Sequence, residues 1–256
     1  MRTFSVCGRT FEAGIVVFDK DGLLFKSEAF WRELMQARVN AAMKRLDVPT
    51  VCGWLDLMDA GYEVQGSGIT VTRVTADGVT AVAAPEEEIM ITGTYLMQQM
   101  HSKWPVAREL SREIFEEGDA IIRMDKAISP QKGFPGIFKR LYEAGIPYGI
   151  ATSDDLTRAR QSVNMFDDFE HLSFVITPKE VAHNKPEPDM LYMVSGQFGI
   201  DPKHIIMVGD SYVDVMMAYK AGSIGIGIPE FDDMAEKMRP WASVMADSLD
   251  DIRIAD

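Results

Sequence analysis

Cysteine is scarce in this sequence: Cys7 and Cys52 are the only two in 256 residues. Their separation matches no metal-binding spacing, and two thiols cannot build a disulfide framework. The count suits a reducing, cytoplasmic setting. Long hydrophobic runs are missing as well. No stretch reaches the ~18 apolar residues that a membrane-spanning helix needs, so none is expected. The opening MRTFSVCGRTFEAG has no continuous apolar core and no small-residue cleavage site, so no secretion signal is expected. Positive charge is the minority sign, with 26 Lys and Arg against 39 Asp and Glu and a net charge of −13. Binding to nucleic acid or to an anionic membrane needs a broad basic surface, and neither partner is expected. A small anionic substrate is compatible with this balance, because a pocket can be locally positive. Internal repeats and low-complexity tracts are absent too.

What is present is ample apolar material, 46% of residues, with 25% charged. That supports a sizeable core in one large or two small domains. Residues 14–25 read GIVVFDKDGLLF, in which the apolar run Ile15–Phe18 stops abruptly at Asp19-Lys20-Asp21-Gly22. Similar short apolar runs recur at 146–152, 172–177, 204–210 and 223–228, with a weaker one at 242–246. Helical patterns fill the gaps near 135–144, 155–164, 188–198 and 212–221. Such alternation predicts an α/β fold, a parallel sheet between two helical layers. The run at 15–18 has the texture of these strands and is expected to join them.

Residues between are different. A helix is predicted over 27–47, with Ser27 as N-cap and Phe30, Trp31, Leu34, Met35, Val39, Ala42, Met43 and Leu46 at helical spacing. A second is predicted from Pro85-Glu86-Glu87-Glu88 and a third after Pro105. The alternation of 68–83 fits either a hairpin around Asp77-Gly78 or a surface loop. The chain thus starts a sheet, leaves it, and returns. Residues 1–24 and 130–256 are expected to form the core, and 25–129 an inserted, mainly α-helical domain, with hinges near 24–26 and 129–133. Its Arg32, Arg38, Arg73, Lys103, Arg108 and Arg112 read as solvated surface charges. Its Met35, Met43, Met90, Met97 and Met100 read as adaptable core.

In open α/β sheets ligands bind beyond the carboxyl ends of the strands. The residues that follow the apolar runs are Asp19-Lys20-Asp21, Thr152-Ser153-Asp154, Thr177 with Lys185 further on, and Gly209-Asp210-Ser211 with Asp214. Each alone is an ordinary turn or cap residue. Together they bring acids, hydroxyls and a lysine to one edge, which suits a divalent cation and an anion. A calcium loop starting at Asp19 is excluded, because Leu23, Leu24 and Phe30 occupy the positions that need an oxygen ligand, glycine and glutamate.

The set DKDG at 19–22, Thr152, Lys185 in KPEPD and VGDSYVD at 208–214 resembles the four motifs of the haloacid dehalogenase superfamily. Within it the chain is similar to the phosphoglycolate phosphatase and β-phosphoglucomutase-like branch, whose helical cap follows the first motif. The resemblance implies a three-layer Rossmann-like core and phosphoryl transfer through an aspartyl-phosphate. It also implies Mg²⁺ and a small phosphorylated metabolite as substrate. Asp19 would be the nucleophile and Asp21 the general acid and base. Strand alternation would aim both acids at one substrate and leave Lys20 as a spacer. Gly22 would allow close backbone approach. Thr152 would bind a phosphoryl oxygen with the N–H groups of Ser153 and Asp154 at a helix start, and Lys185 would neutralise charge. The implied metal ligands are Asp19, the Asp21 carbonyl and Asp210, with Asp214 an acceptor behind them.

Asp21 sets the chain apart from dehalogenases, transport ATPases and phosphonate hydrolases, which resemble the first motif but lack aspartate there. β-Phosphoglucomutase-like members carry Glu-Asp where Gly209-Asp210 stands, so a phosphatase is favoured and a phosphomutase is the alternative. Leu23 departs from the threonine common in family phosphatases, without casting doubt on catalysis. A binding protein with a dead site is disfavoured, since every expected catalytic position is filled.

Overall fold

The computed structural model describes residues 1–75, 78–122, 127–167 and 169–255. It divides into two compact units, Met1–Lys26 with Ser129–Asp256, and Ser27–Ile128.

The chain opens with a hairpin for which no strand was predicted. Strands β1 (Arg2–Val6) and β2 (Arg9–Ala13) pair antiparallel around Cys7 and Gly8, both at positive φ (48° and 79°). Two such residues make the turn whose twist matches a hairpin. Phe4 and Val6 face the core. Strand β3 (Ile15–Phe18) follows, with all four side chains buried.

The chain then builds the second unit. Helix α1 (Ser27–Ala42) is followed by α2 (Val48–Leu57), whose cap Asp47 accepts from the Thr50 N–H at 3.0 Å. Strands β4 (Ala60–Gln65) and β5 (Gly68–Val74) pair antiparallel, with Gly66 at φ 61° in their turn. The hairpin therefore lies upstream of the expected place. Gly68–Val74 pairs backward, Val79–Val82 forms the short helix α3, and Asp77 lies outside the described residues. Helices α4 (Pro85–Gln99) and α5 (Trp104–Ile121) complete the unit. Its core gathers Met35, Val39, Val51, Trp54, Leu96 and Phe115.

Arg38 is not a surface charge. It is fully buried, with Nη1 3.0 Å from Glu88 and Nε 2.8 Å from Asp119, and its guanidinium lies 4.1 Å from the Phe115 ring centre. A buried guanidinium persists only when paired in this way. Met90 and Met100 are exposed rather than core.

On its return the chain forms α6 (Gly136–Glu143), β6 (Tyr148–Ala151), α7 (Leu156–Val163), β7 (Phe174–Ile176) and α8 (Asp189–Phe198). Then come β8 (Ile205–Gly209), α9 (Tyr212–Ala221), β9 (Ile224–Gly227), α10 (Asp232–Met238), β10 (Val244–Met245) and β11 (Ile252–Ile254). Six strands make one parallel sheet in the order β10-β9-β8-β3-β6-β7. This is the predicted α/β core. β11 pairs with β1, giving a separate three-stranded sheet in the order β11-β1-β2. β3 sits inside the parallel sheet between β8 and β6, so whatever follows Phe18 emerges at the middle of its carboxyl edge.

The two passages expected as hinges are paired with each other. Phe25 bridges Pro130, the Lys26 N–H donates to the Ser129 carbonyl, and the Gln131 N–H donates to that of Leu24. Leu23, Leu24 and Phe25 are buried.

Within the second unit, α1 and α5 approach closely at Gly118. A Cβ there would lie 2.8 Å from Arg38 Cα and 2.9 Å from its nitrogen. Gly118→Ala is expected to lower stability by about 1–3 kcal/mol, the usual cost of overpacking. Urea unfolding checks this, and an unchanged midpoint would contradict the packing described.

Candidate active site

The site is built where β3, β6 and β8 end. The Asp19 N–H donates to the Val208 carbonyl at 2.9 Å, continuing the ladder one residue past β3 and fixing the carboxylate at the sheet edge. The chain then turns: the Leu24 N–H reaches the Lys20 carbonyl at 2.9 Å and the Gly22 N–H the Phe25 carbonyl at 2.8 Å. Gly22 has φ 86°, and a Cβ there would overlap the Asp210 carboxylate. Both facts require glycine.

Asp210 follows β8. Ser211 caps α9, and its N–H and hydroxyl donate to Asp214 Oδ2 at 3.2 and 2.9 Å. Lys185, from the loop before α8, donates to Asp19 Oδ1 at 2.5 Å and to Asp214 Oδ1 at 2.6 Å. Both Asp214 oxygens are thereby engaged. Position 209 holds no side chain, since the Asp214 side chain already occupies the space a Cβ at Gly209 would take.

Asp19, Asp210 and Asp214 each bring a carboxylate oxygen within 4.8 Å of the others. Burial, with the Asp214 and Asp21 charges, pushes the Asp19 carboxyl up to about 7 against the pull of Lys185. Burial, with Asp19, Asp214 and Glu230, pushes Asp210 well above the ordinary carboxylate range. The Lys185 ammonium moves the other way from what burial alone would do, because Asp19 and Asp214 raise it. One ammonium thus faces a cluster of three hard oxygen donors. Such a set fits a small divalent cation.

Asp21 pairs with a different cation. β3 ends at Phe18, so the alternation rule does not extend across residues 19–21. The Asp21 carboxylate turns to Lys20, whose Nζ lies 2.5 Å from Oδ1. Lys20 is no spacer. It is fully buried and also lies 3.0 Å from Asp154 Oδ2. Burial would lower its ammonium, but Asp21 and Asp154 together raise it.

Thr152 is buried after β6. Its Oγ accepts the Asp154 N–H at 3.0 Å, which leaves the hydroxyl hydrogen for another acceptor. The expected anion-binding role of the Asp154 N–H is therefore corrected: that donor is already used. The helix start also moves, since α7 begins at Leu156 and Asp155 caps it through the N–H groups of Thr157 and Arg158. Ser153 is half-buried and its Oγ accepts from Asn184 Nδ2 at 3.3 Å. The sequence carries no sign of Arg158 or Glu230, and Lys20 reads there as a spacer. For Lys20 a signal existed: a lysine between two acids at a buried strand end is already charge-matched.

Residues 14–222 match the family profile described as haloacid dehalogenase-like hydrolase. The chain belongs to this family. It is 32% identical over 126 residues to the pyrophosphatase PpaX of Bacillus velezensis, covering 44% of this chain and 56% of that one. It is 32% identical over 88 residues to the phosphoglycolate phosphatase of Escherichia coli, covering 34% and 35%. The chain thus spans between about a third and just over half of the length of these curated relatives. A solved structure of a Bacteroides fragilis protein described in the same hydrolase terms superposes with a TM-score of 0.65 at 15% identity, over 93% of this chain and 98% of that one. That likeness concerns the fold. Residues 1–13, with the β1-β2 hairpin, precede the matched region.

Asp154 generates a prediction about acid stability. Burial would raise its carboxyl, yet Lys20 and Arg158 outweigh this and hold it at about 2, below the ordinary 3.8. Stability from a depressed carboxyl is present above the ordinary value and is lost as pH falls through the folded one. The urea midpoint of the wild type is expected to drop from pH 4 toward pH 2 with a slope that Asp154→Asn makes shallower. Identical slopes would contradict the pairing.

Proposed function

We propose that the chain is a metal-dependent phosphatase that hydrolyses a small phosphomonoester through a phosphorylated Asp19. The observation that carries this reading is the Asp19 carboxylate at the carboxyl edge of β3, gripped on one oxygen by Lys185 and grouped with Asp210 and Asp214. The phosphatase relatives support the same reaction class.

In this reading a carboxylate oxygen of Asp19 attacks phosphorus, and the bond to the ester oxygen breaks. The ester oxygen keeps the bonding electron pair and takes a proton from Asp21, so a neutral alcohol leaves. Asp21, now ionised, accepts a proton from water as that water attacks phosphorus. The bond to Asp19 breaks and inorganic phosphate departs. Lys185 holds the nucleophile and offsets phosphoryl charge, and Asp214 keeps Lys185 in position. The Thr152 hydroxyl and the Ser153 N–H bind phosphoryl oxygens. Gly22 keeps the space beside Asp210 clear.

Asp19 and Asp210 would hold Mg²⁺, with the Asp21 carbonyl as the further ligand that the family resemblance implies. When bound, the ion neutralises charge between the nucleophile and the anionic phosphate. Nothing fits beside Asp214 at position 209, where mutase-like relatives carry glutamate, and this favours hydrolysis over mutase chemistry. The inserted unit Ser27–Ile128 corresponds in chain position to the family's cap. No helix among the described residues is long and apolar enough to cross a membrane.

A phosphate-release screen over phosphomonoesters, run with Mg²⁺ and with EDTA, tests the reading. Release is expected only with the metal, and Asp19→Asn is expected to remove at least ~10³-fold of the rate. Absence of metal-dependent release from every ester, an activated aryl phosphate included, would refute it. Isomerisation of β-glucose 1-phosphate without net release would replace it with mutase activity.

A further inference from the structure

Lys20 is fully buried, and the proposed reaction gives it no part. Its ammonium bridges two carboxylates, 2.5 Å from Asp21 Oδ1 and 3.0 Å from Asp154 Oδ2. Asp154 is fixed in turn. Arg158 Nη2 and Nε lie 2.5 and 2.6 Å from its Oδ1, and the Asp155 N–H donates to the same oxygen at 2.8 Å. Arg158 is tied down by Asp155, 3.1 Å away. The four side chains form a row in the order Arg158, Asp154, Lys20, Asp21, of which the first three are buried and Asp21 is partly exposed. It runs from the first turn of α7 to the loop after β3, and the strands preceding these segments, β6 and β3, are neighbours. At the end of the row Lys20 donates to Asp21 Oδ1.

We propose that Lys20 is a positioning residue for Asp21. Its ammonium grips one carboxyl oxygen, Asp154 keeps that ammonium from following Asp21 when the carboxyl moves, and Oδ2 is left as the single oxygen that exchanges the proton. This rests on the phosphatase reading. Asp154, assigned to the phosphate by sequence, belongs instead to the support of the acid. In the step affected, the bond between Asp19 and phosphorus forms, the ester bond breaks, and the proton on Asp21 Oδ2 passes to the ester oxygen with its electron pair. A misplaced Oδ2 therefore harms leaving groups that need the proton and spares those that do not.

The leaving group supplies the test. The value of kcat/KM reports only steps up to loss of the alcohol, so the later hydrolysis does not enter. Two esters are compared, β-glycerophosphate with its alkyl oxygen and 4-nitrophenyl phosphate, whose leaving group departs as an anion. Lys20→Met is expected to lower kcat/KM about 10²-fold on the alkyl ester, as loss of acid catalysis does, and less than about tenfold on the aryl ester. Equal losses on both would overturn the proposal and leave Lys20 a purely structural charge. Asp154→Asn retains the shape of the row and removes one charge. It is expected to shift the same ratio in the same direction by a smaller factor, and an unchanged ratio overturns the proposal even where Lys20→Met does not fold. A wild-type protein inactive on both esters refutes the phosphatase reading itself, and the inference falls with it.

Discussion

A single ammonium lets two carboxylates lie side by side in this site. Lys185 sits 2.5 Å from Asp19 and 2.6 Å from Asp214, and all three are largely removed from water. Each ion buried alone would cost several kcal/mol, so none of the three is stable there without the others. The pairing also joins segments that share no local sequence: the end of β3, the loop before α8 and the first turn of α9. Removing the cation would leave Asp19 and Asp214 facing each other and Asp210 without the ammonium that offsets them.

The two acids of the first motif are divided between two lysines. Asp19 belongs to Lys185 and Asp21 to Lys20. In the proposed reaction the nucleophile must be ionised and the proton carrier must change its charge, so one shared environment would serve neither. Separate cations, separate neighbours and a turn at Gly22 give two nearby carboxyls different surroundings, as acid and base pairs require.

Much of this is legible in the sequence. The parallel sheet followed from short apolar runs alternating with helical spacing, and the site residues from what stood at the strand ends. Three things were hidden, each for a physical reason. The β1-β2 turn uses Cys7 at positive φ, a conformation that residue type does not advertise. Arg38 lies in a helix whose pattern looks the same whether a long cation reaches water or folds back onto Glu88, Asp119 and Phe115. Lys20 and Asp154 come together only across neighbouring strands, a contact that no local spacing encodes. Reading Lys20 as a spacer came from carrying strand alternation past Phe18, where the strand had already ended.

β3 leads into Asp19, the proposed nucleophile, yet it lies between partners translated far later: Val16 stands opposite Tyr148 on one side and Ile206 on the other. The whole of Ser27–Ile128 intervenes, and that segment is continuous and can close its own contacts first. Strand β3 must instead wait for a long loop to close, an entropic cost that slows such pairings. Asp19 is thus among the first of the site residues to be synthesised and among the last to acquire its surroundings. Until β8 and the Lys185 loop arrive, the carboxylate proposed to carry the phosphoryl group is an ordinary solvated acid.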